Sequence, residues 1–122
     1  MDGYLVYILG IPSQVARLVA ASGRPTILVD DLYGGTGQFL GSYAFARRNR
    51  FKVAGISSSR FEDVVQAVRS FECLKKLRSS VILDVGAAPG ELGKAIEAVF
   101  GTKVLAVSFE QLEEAYRKAD RT

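Results

Sequence analysis

Residues 26–44, TILVDDLYGGTGQFLGSYA, decide the fold. Thr26-Ile-Leu-Val29 is a short apolar run rich in branched side chains, the pattern of a strand covered on both faces. Asp30 to Gly37 interrupts it with two carboxylates and three glycines. Phe39, Leu40, Tyr43 and Ala44 then recur at helical spacing. A strand, a glycine-rich corner and a helix make one β–α unit, and the rest of the chain repeats that unit.

Working outward, further strands are predicted at Tyr4–Leu9, Phe51–Ile56, Val81–Val85 and Lys103–Val107. Helical stripes lie between and after them. Val15, Leu18 and Val19 mark the first. Phe61, Val64, Val65, Val68 and Phe71 mark the third, extended by Leu74 and Leu77. Leu92, Ala95, Ile96, Val99 and Phe100 mark the fourth, and Leu112, Ala115, Tyr116 and Ala119 the fifth. Ser59-Arg-Phe-Glu62 and Ser108-Phe-Glu-Gln111 read as capping boxes, in which the serine accepts a backbone N–H and the residue three places on reaches back. Gly23 and Gly101 read as helix stops in left-handed geometry. Strands alternating with helices predict a parallel sheet. The expectation is one α/β domain over residues 1–122. It is a doubly wound three-layer fold of the flavodoxin or Rossmann kind, with five parallel strands alternating with helices.

Composition narrows the chemistry. The chain has 122 residues, 48% of them hydrophobic and 24% charged, which suits one domain with one core. There is no histidine and one cysteine, Cys73, so a Ser-His-Asp or Cys-His catalytic unit, a His/Cys zinc site and an internal disulfide are all excluded. No apolar run reaches the length of a membrane span, and Tyr4–Leu9 is too short for the core of a signal peptide. A reducing, cytoplasmic location is the expectation. The net charge of +3 is a mild excess. Its clusters, Arg47, Arg48, Arg50 and Lys52, then Lys75, Lys76 and Arg78, stand where helices end and oppose the negative end of the helix dipole. They read as solvated helix ends, without the dense basic face and interleaved aromatics of a nucleic-acid binder. Neither nucleic acid nor membrane is expected as a partner.

Ligands of an open parallel sheet bind beyond the carboxyl ends of its strands. The loops at that edge are therefore the candidate site. They hold Asp30, Asp31, Gly34, Gly35, Thr36 and Gly37 after the second strand, Ser57 and Ser58 after the third, and Gly86 and Gly90 after the fourth. These ten are the candidate substrate-binding residues. Each has a bland reading beside the functional one: glycines serve corners that need positive φ or close backbone approach, and aspartates bond to the backbone of their own turn. Three glycines in four residues exceed what one corner requires. No catalytic, cofactor-binding or metal-ligating residue is assigned.

Three known patterns bear on these loops. A phospho-acceptor receiver needs acids after the first strand, an aspartate after the third and a lysine after the fifth. Gly10, Ser57 and Ser108 occupy those places. No Gly-Lys-Ser/Thr follows a glycine loop, so there is no P-loop. Val81-Ile-Leu-Asp-Val-Gly-Ala-Ala-Pro-Gly90 looks like the glycine motif of S-adenosylmethionine-dependent methyltransferases, matching at Asp84, Gly86 and Gly90. Ser108 replaces the acid expected after the next strand, with Glu110 two places later. Only one strand follows the motif, where that family has several. An S-adenosylmethionine-binding domain is the alternative reading.

Taken in order, Asp2-Gly-Tyr-Leu-Val-Tyr-Ile-Leu-Gly10, Gly23-Arg-Pro-Thr-Ile-Leu-Val29, Tyr33-Gly-Gly-Thr-Gly37, Leu74-Lys-Lys-Leu-Arg-Ser-Ser-Val-Ile-Leu83 and Gly101-Thr-Lys-Val-Leu-Ala-Val-Ser-Phe-Glu-Gln-Leu112 span nearly the whole chain. In this order and spacing the chain resembles an internal α/β domain of the L-fucose isomerase/L-arabinose isomerase-like proteins. The resemblance implies an aldose–ketose isomerase, an intramolecular oxidoreductase of carbohydrate metabolism. It implies manganese or another divalent metal held by acidic residues and a histidine in a further domain, none of which maps onto this chain. It implies a sugar ligand and either a homo-oligomer or a catalytic partner domain, with this domain lining a substrate site or an interface and not catalysing alone.

Overall fold

The computed structural model describes residues 2–10, 13–86 and 90–119. Ten elements alternate strictly: β1 (Tyr4–Ile8), α1 (Val15–Ala20), β2 (Thr26–Asp30), α2 (Thr36–Arg48), β3 (Val53–Ser57), α3 (Phe61–Ser79), β4 (Val81–Val85), α4 (Glu91–Phe100), β5 (Lys103–Val107) and α5 (Phe109–Lys118). Every predicted strand and helix is present, with strand ends moved by one or two residues. The chain is α/β and its strand pairs are parallel.

The strands pair in two sheets, one of three strands in the order β1-β2-β3 and one of two, β4-β5. The chain correspondingly divides into two compact units, Met1–Cys73 and Leu74–Thr122. Apolar periodicity shows that a segment is a strand. It carries no record of which edges pair, so a continuous five-stranded ladder was the simplest expectation and two ladders are what is seen.

In the first unit β2 is the centre. All five of its residues are buried, as expected of a strand covered on both faces. Alternate side chains point to opposite faces. Leu28 packs with Ile8, Ala16 of α1 and Phe39 of α2. Ile27 and Val29 pack with Val64 of α3. Helices therefore cover both faces, and this unit is three layers by itself. The register sets Asp30 beside Ile8 on one side and Ser57 on the other.

The ends of α2 show why the chain turns where it does. The Arg50 N–H donates to the Arg47 carbonyl and the Phe51 N–H to the Ala46 carbonyl. Arg50 sits at φ 55°, and Phe51 meets Phe45 edge-on at 5.8 Å between centroids. This is a Schellman stop with its apolar contact, built on an arginine where glycine is usual. Arg47 and Arg48 occupy the last turn of α2 and Lys76 and Arg78 that of α3, as the helix-end reading expects.

In the second unit β4 and β5 run in register from Val81–Lys103 to Val85–Val107. Gly93 brings α4 against Val104 of β5, and the Glu97 carboxylate accepts from the Val104 N–H at 3.0 Å. Gly101 ends α4 at φ 71° as predicted. The Ser108–Gln111 capping box is formed, with bonds of 3.2 and 2.9 Å. Unlike β2, these two strands have no buried residue, and Ile82, Leu83 and Leu105 are exposed.

Candidate functional site

The carboxyl edge of β2 and β3 carries eight of the ten candidates, all but Gly86 and Gly90. Asp30 ends β2 and is 1% exposed. Its Oδ1 accepts from the Leu32 N–H and the Thr36 hydroxyl, each at 3.0 Å. Its Oδ2 accepts from the Ser57 hydroxyl, also at 3.0 Å. A buried carboxylate is tolerated only when its lone pairs are filled, and three donors from three segments fill them here. Asp30 therefore ties the start of α2 and the end of β3 to the centre strand.

Asp31 has a different task. Its Oδ1 accepts from the N–H groups of Tyr33, Gly34 and Gly35 at 3.1, 3.2 and 3.1 Å. The Tyr33 amide first, then those of Gly35 and Gly34, hold its carboxyl below the ordinary aspartate value of 3.8. Amides leading into a helix are a ready anion site, and in this protein the chain's own carboxylate fills it. Leu32, immediately after the two aspartates, takes φ 71°. The bonds on either side of it hold that left-handed conformation, which an L-residue adopts at a cost. The adjoining Tyr33 ring is 96% exposed.

The glycines separate by role. A Cβ on Gly35 would lie 2.0 Å from the Ile8 carbonyl oxygen, so no other residue fits. Gly10, at φ 108°, comes as close to the Gly34 carbonyl as a 2.6 Å Cβ contact. Gly34 and Gly35 thus let the β2–α2 corner lie against the backbone at the end of β1. Among the described residues Gly37 has no such neighbour within 4 Å. It is the surplus glycine that the sequence left unexplained.

Ser58 lies at the entry to α3. Its hydroxyl donates to Asp63 Oδ2 at 2.5 Å and accepts from the Arg60 N–H at 3.1 Å. The predicted capping box on Ser59 and Glu62 is not formed, because α3 begins at Phe61 and places Ser58 where the Asp63 carboxylate reaches back. Gly86 and Gly90 belong to the second unit. Gly86 has φ 83° and a Cβ there would meet the Phe109 ring at 2.5 Å. Gly90 caps α4 with extended backbone. Residues 87–89 of that glycine motif lie outside the described residues. Ser108, where the methyltransferase pattern calls for an acid, spends its hydroxyl on the first turn of α5. The same hydroxyl, and after it the Glu110 backbone N–H, hold the Glu110 carboxyl below its ordinary 4.5.

Among the described residues no three His, Cys, Asp or Glu side chains stand close enough to hold a metal ion. With Asp30 filled and Asp31 turned onto its own loop, the strand edge does not fit the manganese that the sugar-isomerase resemblance implies. No helix among the described residues is long and apolar enough to cross a membrane.

A cleft missed by the sequence reading lies between α1 and α2. It measures about 390 Å³ and is lined by Ser13, Arg17, Gly37, Gln38, Gly41 and Ser42, among others. Gln38 Nε2 donates to the Ser13 carbonyl at 2.8 Å across it. Only the spacing of Gly37 and Gly41, one helical turn apart, hints at it in the sequence. No family model, curated protein or solved structure matches this chain.

Proposed function

We propose that this chain is a substrate-lining and assembly domain of the L-fucose/L-arabinose isomerase type. It works as one part of a composite enzyme and does not catalyse alone. In this reading all five strand–helix units belong to one doubly wound, Rossmann-like domain, the protein is cytoplasmic and oligomeric, and the loops at the carboxyl edge face a neutral sugar. The observation that carries the reading is how the edge carboxylates are used. Asp30 has both oxygens committed to Leu32, Thr36 and Ser57, and Asp31 is turned onto three backbone amides. A general base needs a free lone pair within reach of the proton it takes. An edge whose buried carboxylate has both oxygens engaged, and whose second carboxylate is held through Oδ1 by its own loop, supports lining over acid–base chemistry.

The purified chain supplied with manganese and L-fucose or L-arabinose is expected to give no ketose, and turnover would overturn the non-catalytic assignment. Calorimetry with the same sugars should register weak binding that is lost in Ser57→Val. Light scattering is expected to report more than one chain per particle. A strict monomer that binds neither sugar would sink the reading. A single urea transition shared by near- and far-ultraviolet signals is expected of one domain, whereas two separated transitions would count against it.

A further inference from the structure

Arg24, Arg47, Arg48, Arg50 and Lys52 are all exposed, and the fold brings them to the amino edge of the first unit's sheet. Arg47 and Arg48 end α2, and the Arg50 N–H returns to the Arg47 carbonyl. The Thr26 N–H donates to the Lys52 carbonyl at 2.9 Å. That bond sets the start of β2, two residues after Arg24, beside the start of β3. Neighbouring strands lie only about 4.8 Å apart, so the α1–β2 and α2–β3 connections present their cations together. The first unit's acids stand elsewhere. Asp30, Asp31, Glu62 and Asp63 are at the opposite, carboxyl edge. Asp2 precedes β1, and Glu72 lines a groove with Leu5 of β1.

The α2 dipole accounts for Arg47 and Arg48. It does not account for Arg24 and Lys52, which lie outside the helices, or for Arg50. Arg50 holds φ 55°, a conformation in which glycine costs less. The chain thus keeps a charged side chain there against its own stability. No ion pair among the described residues engages Arg47, Arg48, Arg50 or Lys52. Gathered like charges repel one another, and an anion laid across them relieves that. The apolar residues beside them, Pro25, Phe45 and Phe51, are half-buried, and Phe51 is turned edge-on to Phe45. Without an exposed ring this edge has no platform for unpaired bases. Without an exposed apolar wedge it has no anchor for a bilayer. It offers fixed charges, four of them guanidinium groups, whose planar fork suits phosphate oxygens.

We propose that the amino edge of the first unit docks the phosphate backbone of a nucleic-acid duplex, without regard to base sequence. The surface lies at the opposite end of the sheet from the strand-edge loops, so it stands or falls apart from the neutral-sugar reading.

Fluorescence anisotropy of a labelled duplex of about 20 base pairs, titrated with the full chain, tests this. A dissociation constant below about 10 μM is expected at about 50 mM salt, weakening roughly a hundredfold by about 200 mM, the salt dependence of about four phosphate contacts. Arg50→Gly should raise the thermal midpoint while weakening the duplex several-fold. Those opposite signs separate a binding role from a structural one. Arg47→Gln combined with Lys52→Gln should weaken the duplex at least about tenfold and flatten the salt dependence by about two contacts. Arg60→Gln combined with Arg69→Gln removes the same charge from α3 and its entry, and should change affinity by less than about twofold. Duplex DNA and duplex RNA offer the same phosphates, and running both identifies the source. No binding of either duplex below about 100 μM at the lower salt would overturn the proposal. Equal losses in the two double variants would also overturn it, because net charge and not this edge would then be responsible. So would unchanged affinity in Arg50→Gly, or tighter binding to phosphatidylserine-containing vesicles than to either duplex.

Discussion

The Ser57 hydroxyl donates to Asp30 Oδ2 at 3.0 Å across the β2–β3 pair, joining residues that the parallel register places side by side. The other oxygen of the same carboxylate holds Leu32 and Thr36. One of the two candidate ligand-binding acids is thus the clasp of the first unit's carboxyl edge.

Removing that clasp should be costly. Asp30→Ala leaves three part-buried donors without their acceptor, and we expect a loss of about 2–3 kcal/mol. Asp30→Asn keeps one carbonyl oxygen for Leu32 and Thr36, and the Ser57 hydroxyl can rotate to accept from the new amide, so about 1–2 kcal/mol is expected. Urea unfolding of the two variants measures the difference, and equal losses would contradict the clasp.

Gly35 and Gly37 should respond to alanine in opposite directions. The Ile8 carbonyl oxygen stands 2.0 Å from a Cβ at Gly35, whereas a Cβ at Gly37 is unobstructed by any described residue. Gly35→Ala is expected to destabilise by about 3 kcal/mol, since backbone must move to admit it. Gly37→Ala should be neutral or stabilising by up to about 1 kcal/mol. Thermal midpoints of the pair decide it.

Arg50 closes α2 at φ 55°, on an exposed site with a complete Schellman pattern. Arg50→Gly should remove the left-handed penalty and stabilise by about 0.5–1 kcal/mol. A lower thermal midpoint in this variant would show that the arginine side chain supplies stability that the geometry does not reveal.

Acid should weaken the protein through Asp31 and Glu110. Both carboxyls lie below their ordinary values of 3.8 and 4.5 in the folded chain. The unfolded chain therefore takes up these protons first as pH falls. The stabilisation is fully present above the unfolded values and is lost as pH drops through the lowered folded ones. Urea midpoints between about pH 6 and pH 2 should decline less steeply in Asp31→Asn and Glu110→Gln than in the parent. Unchanged slopes would mean that these bonds do not persist in solution.

Much of this was legible beforehand, and for local reasons. Apolar spacing located all ten elements. Gly101 and the Ser108–Gln111 pair marked a helix end and a helix start, because caps join residues within a turn of one another. The third helix's cap was read one serine too late. Ser58 and Ser59 are equivalent as sequence, and the position of Asp63 in the folded helix chose between them.

The sequence by itself determined the α/β alternation, the placing of the glycine loops at strand ends and the absence of histidine chemistry. The tertiary structure alone decided what the carboxylates and glycines of the β2–α2 corner do. Asp30 meets a hydroxyl 27 residues away, and Gly35 meets a carbonyl of β1. Gly37 meets nothing among the described residues and borders a cleft. Propensity and capping are short-range and leave their mark in neighbouring residues. Strand pairing and close backbone approach depend on segments that become neighbours only when the chain has folded.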